Sequence, residues 1–229
     1  MNNELRLHIP QLEGQPMYHY TTEGAVTGIL KNKRIILWLK NADYFDDTTE
    51  GKEIYQHLHT ACNKLLKGGR ITLEQYQQIV KLEDTEIYPL QYPTMLLDNK
   101  SGGYIKGHNN CTAYVMSFCE EPADEYMWEE YAHQECCLHF NRDQLNGWFP
   151  RDVECFKEVR EVTYNDEQKV GEIQSLILDS LAYDNYLQRI ADGININRYF
   201  YKKGDLFHKE KEIRLLFAIP QFGYRVKSA

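Results

Sequence analysis

The sequence predicts an α+β fold in a single domain spanning residues 1–229, and three observations carry that expectation. Strand-like runs recur at residues 18–21, 35–39, 111–120, 135–140, 159–164 and 209–219. Two helical stripes at about residues 50–83 read as a helical hairpin inserted between strands. No Gly-x-Gly-x-x-Gly follows a strand, so a doubly wound dinucleotide-binding sheet lacks its fingerprint.

Residues 1–17 are a polar lead-in with Pro10 and Pro16, so Tyr18 opens the first firm element. In Tyr18-His19-Tyr20-Thr21, period-two alternation sends His19 and Thr21 to one face and the tyrosines to the other. Thr21 or Thr22 caps a short helix through Glu23, Val26, Ile29 and Leu30, with Lys31 and Lys33 near its negative end. Ile35 to Leu39 is an apolar strand, and Asn41-Ala42-Asp43 begins a turn. Thr48 or Thr49 caps the first hairpin helix, whose stripe of Ile54, Leu58, Cys62 and Leu65 stops at Gly68-Gly69. Thr72 to Gln75 fits a capping box that starts the second.

From Asp84 to Gly107, Pro89, Pro93 and Ser101-Gly102-Gly103 predict a long irregular connection. Cys111 to Glu120 follows as a strand with Ser117 near its end, and Pro122 to Tyr131 holds one or two helical turns. Glu135 to Phe140 and Val159 to Tyr164 are strands. Asp166 to Ala191 is the longest helical pattern, and Gly193 fits its end. Lys209 to Ile219 is the final strand, in which alternation puts Glu210, Glu212 and Arg214 on one face.

A net charge of -8 argues against sequence-independent capture of a polyanion, although Lys31, Lys33, Arg34 and Lys40 form a local basic group. The six cysteines show no spaced disulfide framework, and the N-terminus has no apolar run of signal-peptide length. No stretch approaches the roughly 18 apolar residues of a membrane span. The expectation is a cytoplasmic protein with its cysteines as thiols and no membrane partner.

Glu210-x-Glu212-x-Arg214 is the strongest chemical cluster. One carboxylate can align a nucleophile while another stabilises positive charge developing on a sugar, as oxocarbenium-like glycosyl transfer requires. Its plain alternative is a surface ion pair between Glu210 and Arg214. His19 with Thr21 offers two groups to a polar ligand, against the alternative of a hydrogen-bonded structural histidine. His133-x-x-Cys136-Cys137-x-His139 gathers zinc-type ligands, but vicinal cysteines alternate faces in a strand, so no metal is expected. Phosphate-loop, nucleophile-elbow and His-Glu-x-x-His motifs are absent.

Four blocks in order carry a family resemblance: Tyr18-His19-Tyr20-Thr21; Asn41-Ala42-Asp43-Tyr44-Phe45-Asp46-Asp47 with Glu50-Gly51; Ser117-Phe118 with Met127-Trp128-x-x-Tyr131; and Glu210-x-Glu212-x-Arg214. Together they resemble the bacterial and phage domain-of-unknown-function 2971 family. Ala42 where that family usually has Pro, and Phe207 where Trp is common, depart from the pattern. More loosely, a His-x-Thr strand at the start, a Ser-bearing strand in the middle and a Glu-x-Glu strand near the end resemble the mono-ADP-ribosyltransferases. That resemblance implies a split, bent antiparallel sheet with surrounding helices and NAD as a substrate. It assigns His19 and Thr21 to the ribose or adenosine side of NAD, and Ser117 to holding the glutamate or the ribose. Glu212 takes the ribose 2'-hydroxyl and the oxocarbenium charge, and Glu210 orients the acceptor. Trp128 and Tyr131 stack on nicotinamide or wall the cleft, and Arg214 pairs with the pyrophosphate or locks a glutamate. The implied partner is a macromolecular acceptor, protein or nucleic acid, in a toxin, effector or phage-conflict setting that could include a regulatory or antitoxin partner. The alternatives are a catalytically inactive nucleotide-binding or partner-binding module, and a nucleic-acid hydrolase.

Overall fold

The computed structural model describes residues 15–30, 37, 39–42, 53–83, 91–97, 104–122, 125–133, 135–143, 145, 156–204 and 208–220. The chain groups into two compact units, one made of residues Met1–Ile36 with Phe118–Asp152 and the other of Leu37–Ser117 with Val153–Ala229. Antiparallel strand pairs and helices drawn from separate stretches of chain make the fold α+β, as the sequence predicts.

In the first unit, β1 (Pro16–Thr21) pairs antiparallel with β5 (Cys136–Asn141) along its full length, and Tyr18 also pairs with Cys119 at the end of β4 (Tyr104–Cys119). α1 (Glu23–Ile29) begins where Thr22 accepts the Ala25 N–H at 3.3 Å, the cap expected from Thr-Thr-Glu. The aromatic side of β1 buries Tyr20 with Cys119, Met127 and Ala132. Trp128, on α4 (Glu125–Glu130), meets Tyr20 edge-on at 5.1 Å.

The second unit is built on β4. β2 (Lys40–Asn41) and β3 (Gln91–Leu97) pair with it antiparallel, β7 (Glu212–Pro220) is hydrogen-bonded to it, and β6 (Phe156–Glu161) pairs with β7. The helical hairpin is α2 (Glu53–Lys67) and α3 (Leu73–Val80). α2 ends as its two glycines require: Gly69 takes φ 64° and Arg70 N–H reaches back to the Leu65 carbonyl at 2.9 Å. α3 starts with the expected reciprocal box, Thr72 accepting from Gln75 N–H and Gln75 accepting from Thr72 N–H. Ile54, Leu58, Ala61 and Cys62 of α2 pack on Ile173 and Ile177 of α5 (Asp166–Ser180) and Ile190 of α6 (Tyr186–Asn197). Each such aliphatic side chain stabilises the fold by about 1.5–3 kcal/mol when fully buried.

Three expectations are corrected. Gln91–Leu97 is a strand rather than irregular connection, and β4 starts at Tyr104 rather than Cys111. Pro93 does not prevent this, because among the described residues β3 pairs with β4 alone, and a proline is tolerated on an edge strand. The pattern from Asp166 to Ala191 is two helices, broken by turns in which Tyr183 N–H bonds the Ser180 carbonyl and Tyr186 N–H the Tyr183 carbonyl. Gly193 therefore lies inside α6, where a Cβ would stand 2.5 Å from Leu176 Cδ2; the glycine lets α5 and α6 approach closely. Last, β7 begins at Glu212, not Lys209: His208–Glu210 form a 3-10 turn and Lys211 takes φ 42°, ending extended geometry before Glu212.

Lys31, Lys33, Arg34, Phe207, most of the expected Ile35–Leu39 strand, and the turn and cap residues from Asp43 to Gly51 lie outside the described residues. No described helix is long and apolar enough to cross a membrane.

Candidate functional site

β7 carries the centre of the site. Alternation places Glu212 and Arg214 on the same face, and both are buried, at 3% and 2% exposure. Arg214 Nε donates to Glu212 Oε1 at 2.6 Å and Arg214 Nη2 to Glu212 Oε2 at 3.2 Å, a two-point grip on one carboxylate. Arg214 Nη1 donates to the Tyr199 carbonyl at 2.6 Å, so the guanidinium is held from the chain following α6 as well. The ion-pair alternative read from the sequence is thus corrected in partner and place, since Arg214 grips Glu212 in a buried setting.

Glu210 reaches the same cluster from the 3-10 turn instead of from the strand face. Lys202 Nζ bridges the two carboxylates, 2.8 Å from Glu210 Oε2 and 2.9 Å from Glu212 Oε2. The left-handed Lys211 between them makes this geometry, because it turns Glu210 out of strand register while leaving its carboxylate within reach of Lys202. On β4, the Ser117 hydroxyl donates to Glu212 Oε1, across 95 residues of sequence. Ser117 is exposed whereas Glu212 is buried. The Glu212 backbone N–H donates to Tyr164 Oη at 3.1 Å.

These contacts decide the charge state. Burial alone would raise the Glu212 pKa, but the Arg214 guanidinium, the Lys202 ammonium and the hydrogen bonds from Arg214 and Ser117 hold it down at about 2. For Lys202, burial works against the charge, and Glu212 and Glu210 overcome it, so the ammonium titrates above its usual range. Burial and the neighbouring Glu212 charge push the Tyr164 phenol far up, which leaves it a neutral hydrogen-bonding group. The result is a buried anionic carboxylate with two cations beside it. Such a group is suited to meeting positive charge or a hydroxyl, and unsuited to giving up a proton at neutral pH.

The other expected residues lie in the first unit. His19 is half-buried and meets Phe118 edge-on at 6.0 Å, and Thr21 is buried. Trp128 is half-buried, with its indole N–H on the Pro122 carbonyl at 3.2 Å, so it belongs to the apolar cluster around Tyr20. Tyr131 is 44% exposed beside Tyr126. In the Cys-His stretch, Cys137 packs towards Tyr20 while the His139 ring stacks on Tyr18 at 5.1 Å.

Sequence reasoning missed Lys202, Tyr164 and Lys169. Lys169 is fully buried and donates to Glu53 Oε1 (2.7 Å), Asp166 Oδ1 (3.1 Å) and the Lys202 carbonyl (2.8 Å). Its stripe position on α5 gave no signal, because a lysine there reads as solvated; the buried acceptors that call for it come from other elements. Glu53, His57 and Asp166 converge closely enough to hold a metal ion, but the Lys169 ammonium already sits on two of those carboxylates.

No curated protein and no solved structure matches the chain. Residues 127–215, which include Met127-Trp128-x-x-Tyr131 and Glu210-x-Glu212-x-Arg214, match the model of the DUF2971 family, a protein of unknown function, and the family resemblance holds over that stretch.

Proposed function

We propose that the protein transfers ADP-ribose from NAD to a macromolecular acceptor, with Glu212 as the carboxylate that faces the developing charge. The observation that carries the proposal is the Ser117–Glu212 hydrogen bond, which joins a serine on the middle strand to a buried, ionised glutamate on the last one. The ADP-ribosyltransferase resemblance assigns those two residues to that pairing.

In the reaction the bond between ribose C1' and the nicotinamide nitrogen breaks, and its electron pair leaves with nicotinamide, neutralising the pyridinium. The ribose carries the resulting positive charge until the acceptor nucleophile bonds C1' and releases its proton. Glu212 stabilises that charge, and Arg214 keeps the carboxylate oriented. The ribose 2'-hydroxyl can take the place of the Ser117 hydroxyl on Oε1, since Ser117 is the exposed member of the cluster. Glu210, itself buried, shares the Lys202 ammonium with Glu212, and the resemblance gives it the task of orienting the acceptor. The resemblance also assigns NAD contacts to His19, Thr21, Trp128 and Tyr131, and substituting them one at a time tests that assignment.

A second reading has its own observation: both Glu212 oxygens already carry donors, from Ser117, Arg214 and Lys202. A network so complete suits a nucleotide-binding or partner-binding module without turnover. Calorimetry with NAD, followed by chromatography of the same samples, separates the two. Binding with nicotinamide appearing supports transfer, binding with NAD intact supports a nucleotide-binding module, and no binding by the folded chain overturns transfer and favours the partner-binding module.

A further inference from the structure

We infer that Lys202 is the positioning residue of the Glu210–Glu212 carboxylate pair, and that it is itself set in place through its backbone by Lys169. The inference deepens the transferase reading and rests on it for the catalytic consequence. Two carboxylates that share one small volume repel each other, and one of them would normally take up a proton or turn away. Here a single ammonium lies 2.8 Å from one and 2.9 Å from the other, and its side chain is only 13% exposed. A compact charge on a flexible stem can reach two separate oxygens, while Arg214 grips Glu212 at two points with its planar fork.

The stem of Lys202 has to start from a fixed point, and the structure supplies one. Lys202 N–H donates to the Thr163 carbonyl at 3.3 Å, beside the Thr163–Tyr201 bridge, and the Lys202 carbonyl accepts from Lys169 Nζ at 2.8 Å. Lys169 is anchored in turn by Glu53 of α2 and Asp166 of α5. A run of charge-assisted contacts therefore leads from the helical hairpin to the carboxylate pair, and gives the hairpin a role in holding the site.

The groups facing Glu212 are Lys202 and Arg214, Ser117 of β4, Tyr164 at its backbone N–H, and Glu210 across the Lys202 ammonium. Lys202 touches both carboxylates, so its substitution has a specific signature. The test uses the full chain labelled with carbon-13 at the glutamate carboxyls, the Glu212 signal being identified by its loss in Glu212→Gln. Lys202→Gln is expected to move the Glu212 titration midpoint up by about one pH unit, roughly tenfold in proton affinity, and Lys202→Arg to leave it near the wild-type value. In the NAD assay, Lys202→Gln lowers kcat at least about tenfold with KM within about twofold, while Lys202→Arg keeps most of kcat. An unchanged Glu212 midpoint in Lys202→Gln, or an Arg variant that titrates with the Gln variant, overturns the positioning role. A shifted midpoint in a protein whose wild type never releases nicotinamide upholds the positioning role and overturns the transferase reading. Should Lys202→Gln fail to fold, Lys202→Met, which also removes the charge, takes its place in both readouts with the same expected and overturning results.

Discussion

Glu212 shows how much a single side chain depends on its neighbours. A carboxylate at 3% exposure would ordinarily protonate, and it stays charged because Arg214, Lys202 and Ser117 answer both oxygens. Its folded-state pKa of about 2 lies below the ordinary 4.5, so the network stabilises the fold fully above that ordinary value and loses the contribution as pH falls towards 2. Lys202 has the opposite sign: its raised pKa adds stability below its ordinary value of 10.5, and that part is lost as pH rises beyond it. Thermal melts across pH should therefore show a plateau from about pH 5 to 10 for this pair, with an acid fall that is smaller in Glu212→Gln. An acid limb of the same depth in that variant would place the effect elsewhere. The Glu212–Arg214 half of the cluster was legible in the sequence because both residues sit two apart on one strand. Lys202 was not, since its role depends on a turn and a left-handed residue that bring Glu210 within its reach.

Among the elements, the caps were readable and the breaks were not. Thr72 and Gln75 form the box their spacing requires, and Thr72→Ala should lower stability by about 1 kcal/mol in urea unfolding. The division between α5 and α6 was hidden because the apolar stripe continues through Leu181, Tyr183 and Leu187, though Asp184-Asn185 was an available turn signal. Gly193 looked like a terminus and is a packing device. Gly193→Ala, which in an open helix would gain close to 1 kcal/mol, should instead cost about 1 kcal/mol, and Leu176→Ala should reduce that cost in a double-mutant cycle. Additive effects would show that the two helices do not meet there. Lys169 joins α2, α5 and the Lys202 carbonyl, and Lys169→Met leaves the half-buried Glu53 with His57 and the Lys202 carbonyl without its ammonium donor. A loss of about 1–3 kcal/mol is expected from denaturant unfolding.

At the scale of the whole molecule, the α+β class followed from where the strand and helix patterns fall, and the hairpin at α2 and α3 lies within the span expected for it. The grouping into two compact units was beyond a sequence argument, because it reflects which distant stretches share contacts, such as Pro16–Thr21 with Cys136–Asn141. The same limit applies to Ser117 and Glu212: ordering along the chain suggested the pairing only through a family resemblance, and tertiary structure brings them into contact. Whether that contact serves catalysis is decided by turnover. The full-length chain incubated with NAD should release nicotinamide, and Glu212→Gln, which keeps the side chain's size but removes its charge, should release it at least about a hundredfold more slowly. Equal release by the two proteins, or none by the folded wild type, would contradict the assignment of Glu212 as the charge-stabilising group.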